Sequence, residues 1–191
     1  MLEKKKVAVM LANGFEEGEA LFVVDIIRRA GIDCDMVSIK EKKVEGSHGI
    51  TVNTDKIIAD VEKDNYDMIV LPGGLPGADN LRDCEDVIEW VEEFANDSKK
   101  YVAAICAAPQ VLAKADVIKG KKVTSYPAEG YRRILKDAEY VDNEIVVVDG
   151  NIITSRGPAT TMPFAYKLVE LLGGNAETLK EGMLYNMLMN N

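Results

Sequence analysis

Apolar residues recur along the chain in two rhythms. The uninterrupted runs at 7–11, 68–71 and 101–105 are too short for helices and read as strands buried on both faces. Residues 17–30, 86–95 and 160–172 instead place their apolar positions at helical spacing; in 86–95, Val87, Trp90, Val91 and Phe94 share one face. Gly31 closes the first of these helices and Gly173-Gly174 the third. Residues 34–39 alternate like a strand, and 44–52, broken by Gly46 and Gly49, reads as a hairpin on the sheet edge. A short strand at 122–124, a short helix at 131–135, a hairpin over 145–154 turning at Asp149-Gly150-Asn151, and a last helix over 177–188 complete the pattern. Strands alternating with helices predict an α/β fold whose mostly parallel sheet is covered on both faces. In such folds ligands sit beyond the carboxyl ends of the strands, near the switch point of the strand order. Three turns fall at such ends: after Leu11, after Leu71 and after Ile105.

The chain of 191 residues suits a single domain over 1–191, without a linker-like stretch or an internal repeat. A net charge of −9 gives no basic face for nucleic acid. The charged segment 1–6 precedes a run of strand length only, so neither a signal peptide nor a membrane span is expected. Cys34, Cys84 and Cys106 are an odd number without metal-ligand spacing, which points to free thiols in a reducing, cytoplasmic setting. The only histidine, His48, excludes a His-rich metal site and is read as a surface or interface residue.

Cys106 is the most informative residue. It stands where the run 101–105 hands over to Ala107-Ala108-Pro109 and a following helix. A strand turning sharply into a helix lifts its junction residue to the top of the sheet, with helical N–H groups aimed at the side chain. A thiol there is expected to ionise readily. Leu71-Pro72-Gly73-Gly74 supplies a second turn, whose Gly73 and Gly74 let the backbone approach closely and offer N–H groups to developing negative charge. In the first turn, Glu16 and Glu19 share a helix face. If Glu19 points inward beside Cys106, burial and the thiolate both raise its pKa, and a neutral carboxyl can donate to sulfur or relay a proton. Thr154-Ser155-Arg156-Gly157-Pro158 forms a third polar cluster, where Arg156 serves a salt bridge or the pocket.

Together these pieces resemble the ThiJ/PfpI superfamily, most closely its branch containing the Parkinson disease protein deglycase. The matching residues are 12–19 (A-N-G-F-E-E-G-E), Arg28-Arg29-Ala30-Gly31, Leu71-Pro72-Gly73-Gly74, 103–109 (A-A-I-C-A-A-P) and 154–158 (T-S-R-G-P). The resemblance implies a flavodoxin-like three-layer sandwich, a homodimer and no cofactor. It implies Cys106 as nucleophile, Glu19 as the carboxyl bound to it, and backbone N–H groups of Gly73, Gly74 and Ala107 as an oxyanion pocket. Glu16, Arg29, His48, Tyr126 and Arg156 are expected at the pocket or the interface. Activities of this family include glyoxalase III-type conversion of small reactive aldehydes, repair of early glycation adducts, and redox sensing or chaperone-like holding through the cysteine. Two positions depart from it. Ser125-Tyr126-Pro127 occupies the segment where many relatives carry a histidine, and a tyrosine is a hydrogen-bond donor but a poor base at neutral pH. His48 stands where close relatives often have arginine. The absence of a Cys-His pair argues against PfpI-type peptidases and glutamine amidotransferases, and the acidic first turn against a flavin-phosphate loop.

Overall fold

The structure, a computed structural model, describes residues 5–189; residues 1–4 of the charged segment read above lie outside the described residues. Strand β1 (Lys6–Leu11) leads into helix α1 (Glu17–Arg29), which ends before Gly31 at φ 74°. Then come β2 (Asp33–Ser38), β3 (Lys43–Glu45), β4 (Thr51–Asn53), β5 (Lys56–Ile57) and β6 (Met68–Leu71). Helices α2 (Gly77–Arg82) and α3 (Glu85–Asn96) precede β7 (Tyr101–Ile105) and α4 (Pro109–Lys114). The remainder is β8 (Lys122–Val123), α5 (Glu129–Ile134), β9 (Glu139–Tyr140), β10 (Val146–Asp149), β11 (Ile152–Ser155), α6 (Thr161–Leu171), α7 (Ala176–Gly182) and α8 (Tyr185–Met189).

Seven strands form the central sheet in the order β10-β11-β7-β6-β1-β2-β5, parallel throughout except for the antiparallel β10–β11 hairpin. Alternation along β1 decides the layering. Val7, Val9 and Leu11 join one core with Val23, Ile26, Phe164 and Leu168 of α1 and α6. Ala8 and Met10 join the other, with Leu81, Trp90, Val91 and Leu112 of α2, α3 and α4. The result is a flavodoxin-like sandwich of helices, sheet and helices. From β1 the chain first builds outward through β2 and β5, then returns to the opposite side of β1 with β6. The switch point therefore lies between β1 and β6, and the turns after these strands flank it.

Two expectations are corrected. The 44–52 hairpin forms β3–β4, but as a separate two-stranded sheet; the edges of the central sheet are β5 and β10. A bridge between Phe15 and Gly46 fastens that hairpin over the turn after β1 instead. The short strand expected near 122 forms and pairs with β9 outside the central sheet. The expected helix 177–188 is two helices, because Leu184 takes φ 60° and interrupts the turn.

Candidate active site

Cys106 follows β7 directly and adopts φ 63°, a left-handed conformation that costs a non-glycine residue of the order of 1 kcal/mol. Its backbone is tied on both sides. Its N–H donates to the Ser155 carbonyl at 3.1 Å, one step past the β7–β11 ladder, and its carbonyl accepts from Tyr126 N–H at 2.9 Å. The chain is thereby forced to turn at this residue and direct its side chain over the sheet end.

Glu19 is brought there by the buried face of α1 and is fully buried. Its Oε2 accepts from the Gly73 N–H at 2.7 Å. Its Oε1 is the one buried side-chain polar atom without a partner among the described residues. Burial pushes this carboxyl up to about 7, against the pull of the Gly73 N–H and the Cys106 thiol and with the Glu16 charge. Gly73 has no room for a side chain: a Cβ would stand 2.6 Å from Glu19 Oε2 and 2.8 Å from Cys106 Cβ. Gly74, at φ 86°, would drive a Cβ to 2.5 Å from the Gly14 carbonyl oxygen.

The electrostatics of the site run against the expectation of a readily ionised thiol. Helix α4 begins only at Pro109 and runs six residues, so it presents a short dipole. Burial and the Glu19 carboxylate push the Cys106 thiol up, and the Ala107 and Gly74 N–H groups pull it back only in part. The carboxyl is the more acidic of the two, so the first proton leaves Glu19, and its charge then keeps the thiol protonated. The role read for Gly73 is corrected too: its N–H is engaged by Glu19, which leaves Gly74 and Ala107 as the donors facing sulfur.

Other expected residues divide. Glu16 adjoins the pair: its N–H donates to the Gly73 carbonyl at 2.9 Å and its charge acts on Glu19. Tyr126 is tied to Cys106 through the backbone, while its ring is half exposed and stands edge-on to Tyr131. Among the described residues Arg156 forms no salt bridge; it donates to the Asp142 carbonyl at 2.5 Å and to Thr124 Oγ1 at 3.4 Å, bracing the segment that carries Tyr126. Arg29 does not reach the pocket. It lies at the far end of α1, paired with Asp25 on an exposed face. His48 is exposed and contacts Glu17 and Glu16.

Two residues went unread in the sequence. Burial, with the charges of Cys106, Asp79 and Glu19, pushes the Tyr131 hydroxyl up, which places this side chain in the site's field; no local spacing signals it. Glu17, one of several acidic residues of its turn, is buried and holds the hairpin tip. Of the other thiols, burial pushes Cys34 up to about 12 and silences it, and Cys84 begins α3. A cleft of about 390 Å³ lined by Asn13, Ser38, Lys40, Asn80 and Cys84 opens beyond β1 and β2, but it contains neither Cys106 nor Glu19. No helix among the described residues is long and apolar enough to cross a membrane.

This geometry can be set against known proteins. Residues 5–171 match the model of the DJ-1/PfpI family. The chain belongs to that family. It is 38% identical over 183 residues to Protein dj-1beta of Drosophila melanogaster, covering 94% of this chain and 97% of that one. The crystal structure of the same fly protein superposes with a TM-score of 0.90 over 95% of this chain and 98% of its own. A deglycase of Thermococcus kodakarensis is 37% identical over 169 residues, 87% of this chain and 99% of its own. DJ-1 homolog B of Arabidopsis thaliana is 35% identical over 177 residues, 92% of this chain, which spans only 40% of that longer protein. Homologues named deglycase within this DJ-1/PfpI family support a DJ-1-like, enzymatic role.

Proposed function

We propose that the protein is a cysteine-dependent enzyme of the glyoxalase III or deglycase type, acting on small 2-oxoaldehydes or their early adducts on proteins. The observation that carries this reading is the buried Glu19 carboxyl, acting on the Cys106 thiol and raised to about 7. Such a group is half ionised at neutral pH and both accepts and returns protons. With methylglyoxal, Glu19 takes the thiol proton as sulfur bonds to the aldehyde carbon. The oxygen carries the charge toward the Gly74 and Ala107 N–H groups and then takes the thiol proton back from Glu19, giving a hemithioacetal and an ionised Glu19. Glu19 next removes the proton on that carbon as the hydroxyl proton passes to the neighbouring ketone oxygen, and then delivers the abstracted proton to the neighbouring carbon, leaving the 2-hydroxy thioester. Water cleaves the thioester, releasing lactate and the free thiol. We expect Cys106→Ala to abolish lactate formation from methylglyoxal, and Glu19→Gln to lower kcat/KM by about 10²- to 10⁴-fold. A Cys106→Ala protein that turns over like the wild type would overturn the scheme.

A second reading, an oxidative-stress sensor or holdase without turnover, is favoured by the same N–H groups facing sulfur. Two equivalents of peroxide would convert the thiol to a sulfinate, whose oxygens those groups can hold. Addition of two oxygens at Cys106 under mild peroxide, in a protein without lactate formation, selects this reading. The setting proposed is cytoplasmic, in keeping with the three unpaired cysteines. We also propose a homodimer, supported by the exposed apolar Phe22 of α1 and Ile50 of the hairpin turn. Phe22→Glu is expected to shift the mass in light scattering toward the monomer; a monomeric wild type would refute the dimer.

A further inference from the structure

We propose that Glu16, Glu17 and His48 form a binding site for a divalent transition-metal ion of the zinc class. One oxygen of each carboxylate and the ring Nδ1 lie within 4.8 Å of one another. Nδ1 stands 2.9 Å from Glu17 Oε2 and 3.5 Å from Glu16 Oε2. Zinc bonds to nitrogen and oxygen of about 2.0–2.2 Å set neighbouring ligand atoms about 3.0–3.5 Å apart, close to the two ring-to-carboxylate distances here. An ion would take the place of the proton now between the ring and the carboxylate. Ligand type agrees with the assignment, since imidazole with carboxylates suits zinc and its neighbours rather than thiolate-seeking ions.

The backbone of the hairpin and the turn after β6 also holds the cluster in place. Glu17 uses Oε1 for structure, accepting from His48 N–H at 2.8 Å and Ile50 N–H at 3.3 Å, while Oε2 turns to the ring. Its carboxyl lies flat against Gly46, where a Cβ would meet Glu17 Cγ at 2.5 Å, so the hairpin is shaped around this side chain. Glu16 is anchored through its N–H to the Gly73 carbonyl. The imidazole is 69% exposed and the carboxylates 18% and 6%, so an ion would rest on a buried acidic floor with one face open to water. The site takes neither Cys106 nor Glu19 as a ligand, although the Glu16 charge is also felt by Glu19.

Because the chain has a single histidine, its ring resonances assign themselves. Zinc chloride titrated into the full-length protein is expected to move the His48 ring signals saturably, identically in Cys106→Ala. Glu16→Gln is expected to weaken binding on the order of ten-fold, with His48→Gln showing a comparable loss by calorimetry. Ring signals unmoved by excess zinc, equal affinity in Glu16→Gln, or binding that disappears in Cys106→Ala would each overturn the assignment; the last would put the ion on the thiol.

Discussion

Strain at Cys106 and the proton on Glu19 are the two quantities that single residues set in this protein. The left-handed backbone persists because Ser155 and Tyr126 hold both polar groups of Cys106. Removing the side chain tests that: Cys106→Gly should be more stable than Cys106→Ala by about 1 kcal/mol, since only alanine retains the clash of its Cβ. Denaturant midpoints of the two variants measure the difference, and equal stability would mean the turn is relaxed. Glu19 makes a prediction of opposite kind. Its pKa is 4.5 when unperturbed and about 7 in the fold, so between these values the native state binds more protons than the unfolded one. The native state therefore loses stability as pH rises from about 4.5 to about 7, by up to roughly 3 kcal/mol for a buried group shifted this far. Glu19→Gln cannot ionise, so it should flatten that slope and exceed the wild type in stability at pH 8. Parallel slopes for both proteins would refute the raised carboxyl.

At the level of elements, the meeting of α1, the β6 turn and the β7 turn depends on one close approach. Gly73→Ala should impair folding or displace Glu19, since the added methyl meets a carboxylate oxygen, Cys106 Cβ and, at 3.0 Å, the Ala107 nitrogen. A soluble Gly73→Ala protein with wild-type lactate formation would contradict that packing. Strand-length apolar runs and helix-stopping glycines made the central strands, α1, α3 and α6 legible in sequence, because burial on both faces of a sheet dictates composition directly. The Cys106 turn was legible for the same reason: a strand end followed by two alanines and a proline permits few other shapes. The short elements were not. Strand β5 and helix α2 have few residues in which to display a period, and whether β3–β4 joins the central sheet is decided by pairing far along the chain. Nor could spacing reveal that Gly73 would spend its N–H on Glu19, since those residues meet only in the folded chain.

Across the whole molecule, the two cores lean on the same strands from opposite sides. Val7, Val9 and Leu11 of β1 belong to one core, and Ala8 and Met10 to the other, so β1 cannot leave without opening both. Strands β6 and β7 share that position: Met68 and Val70 pack on one side and Ile69 and Leu71 on the other, as do Ala103 and Ile105 against Val102 and Ala104. The reactive turns are rooted in these three strands, which places strained backbone on the part of the fold with the most to lose by yielding. The hairpin β3–β4 and the pair β8–β9 stand outside the sheet, and α8 exposes Met187, Leu188 and Met189. Amide exchange should therefore separate into tiers. Amides of β1, β6 and β7 should exchange only through global unfolding and follow the denaturant-derived stability. Those of β3–β4, β8–β9 and α8 should exchange through smaller openings, orders of magnitude faster. Equal protection of the hairpin and β1 would mean that Glu17 and the Phe15–Gly46 bridge weld the hairpin to the core, making the tip bearing His48 as rigid as the sheet beneath it.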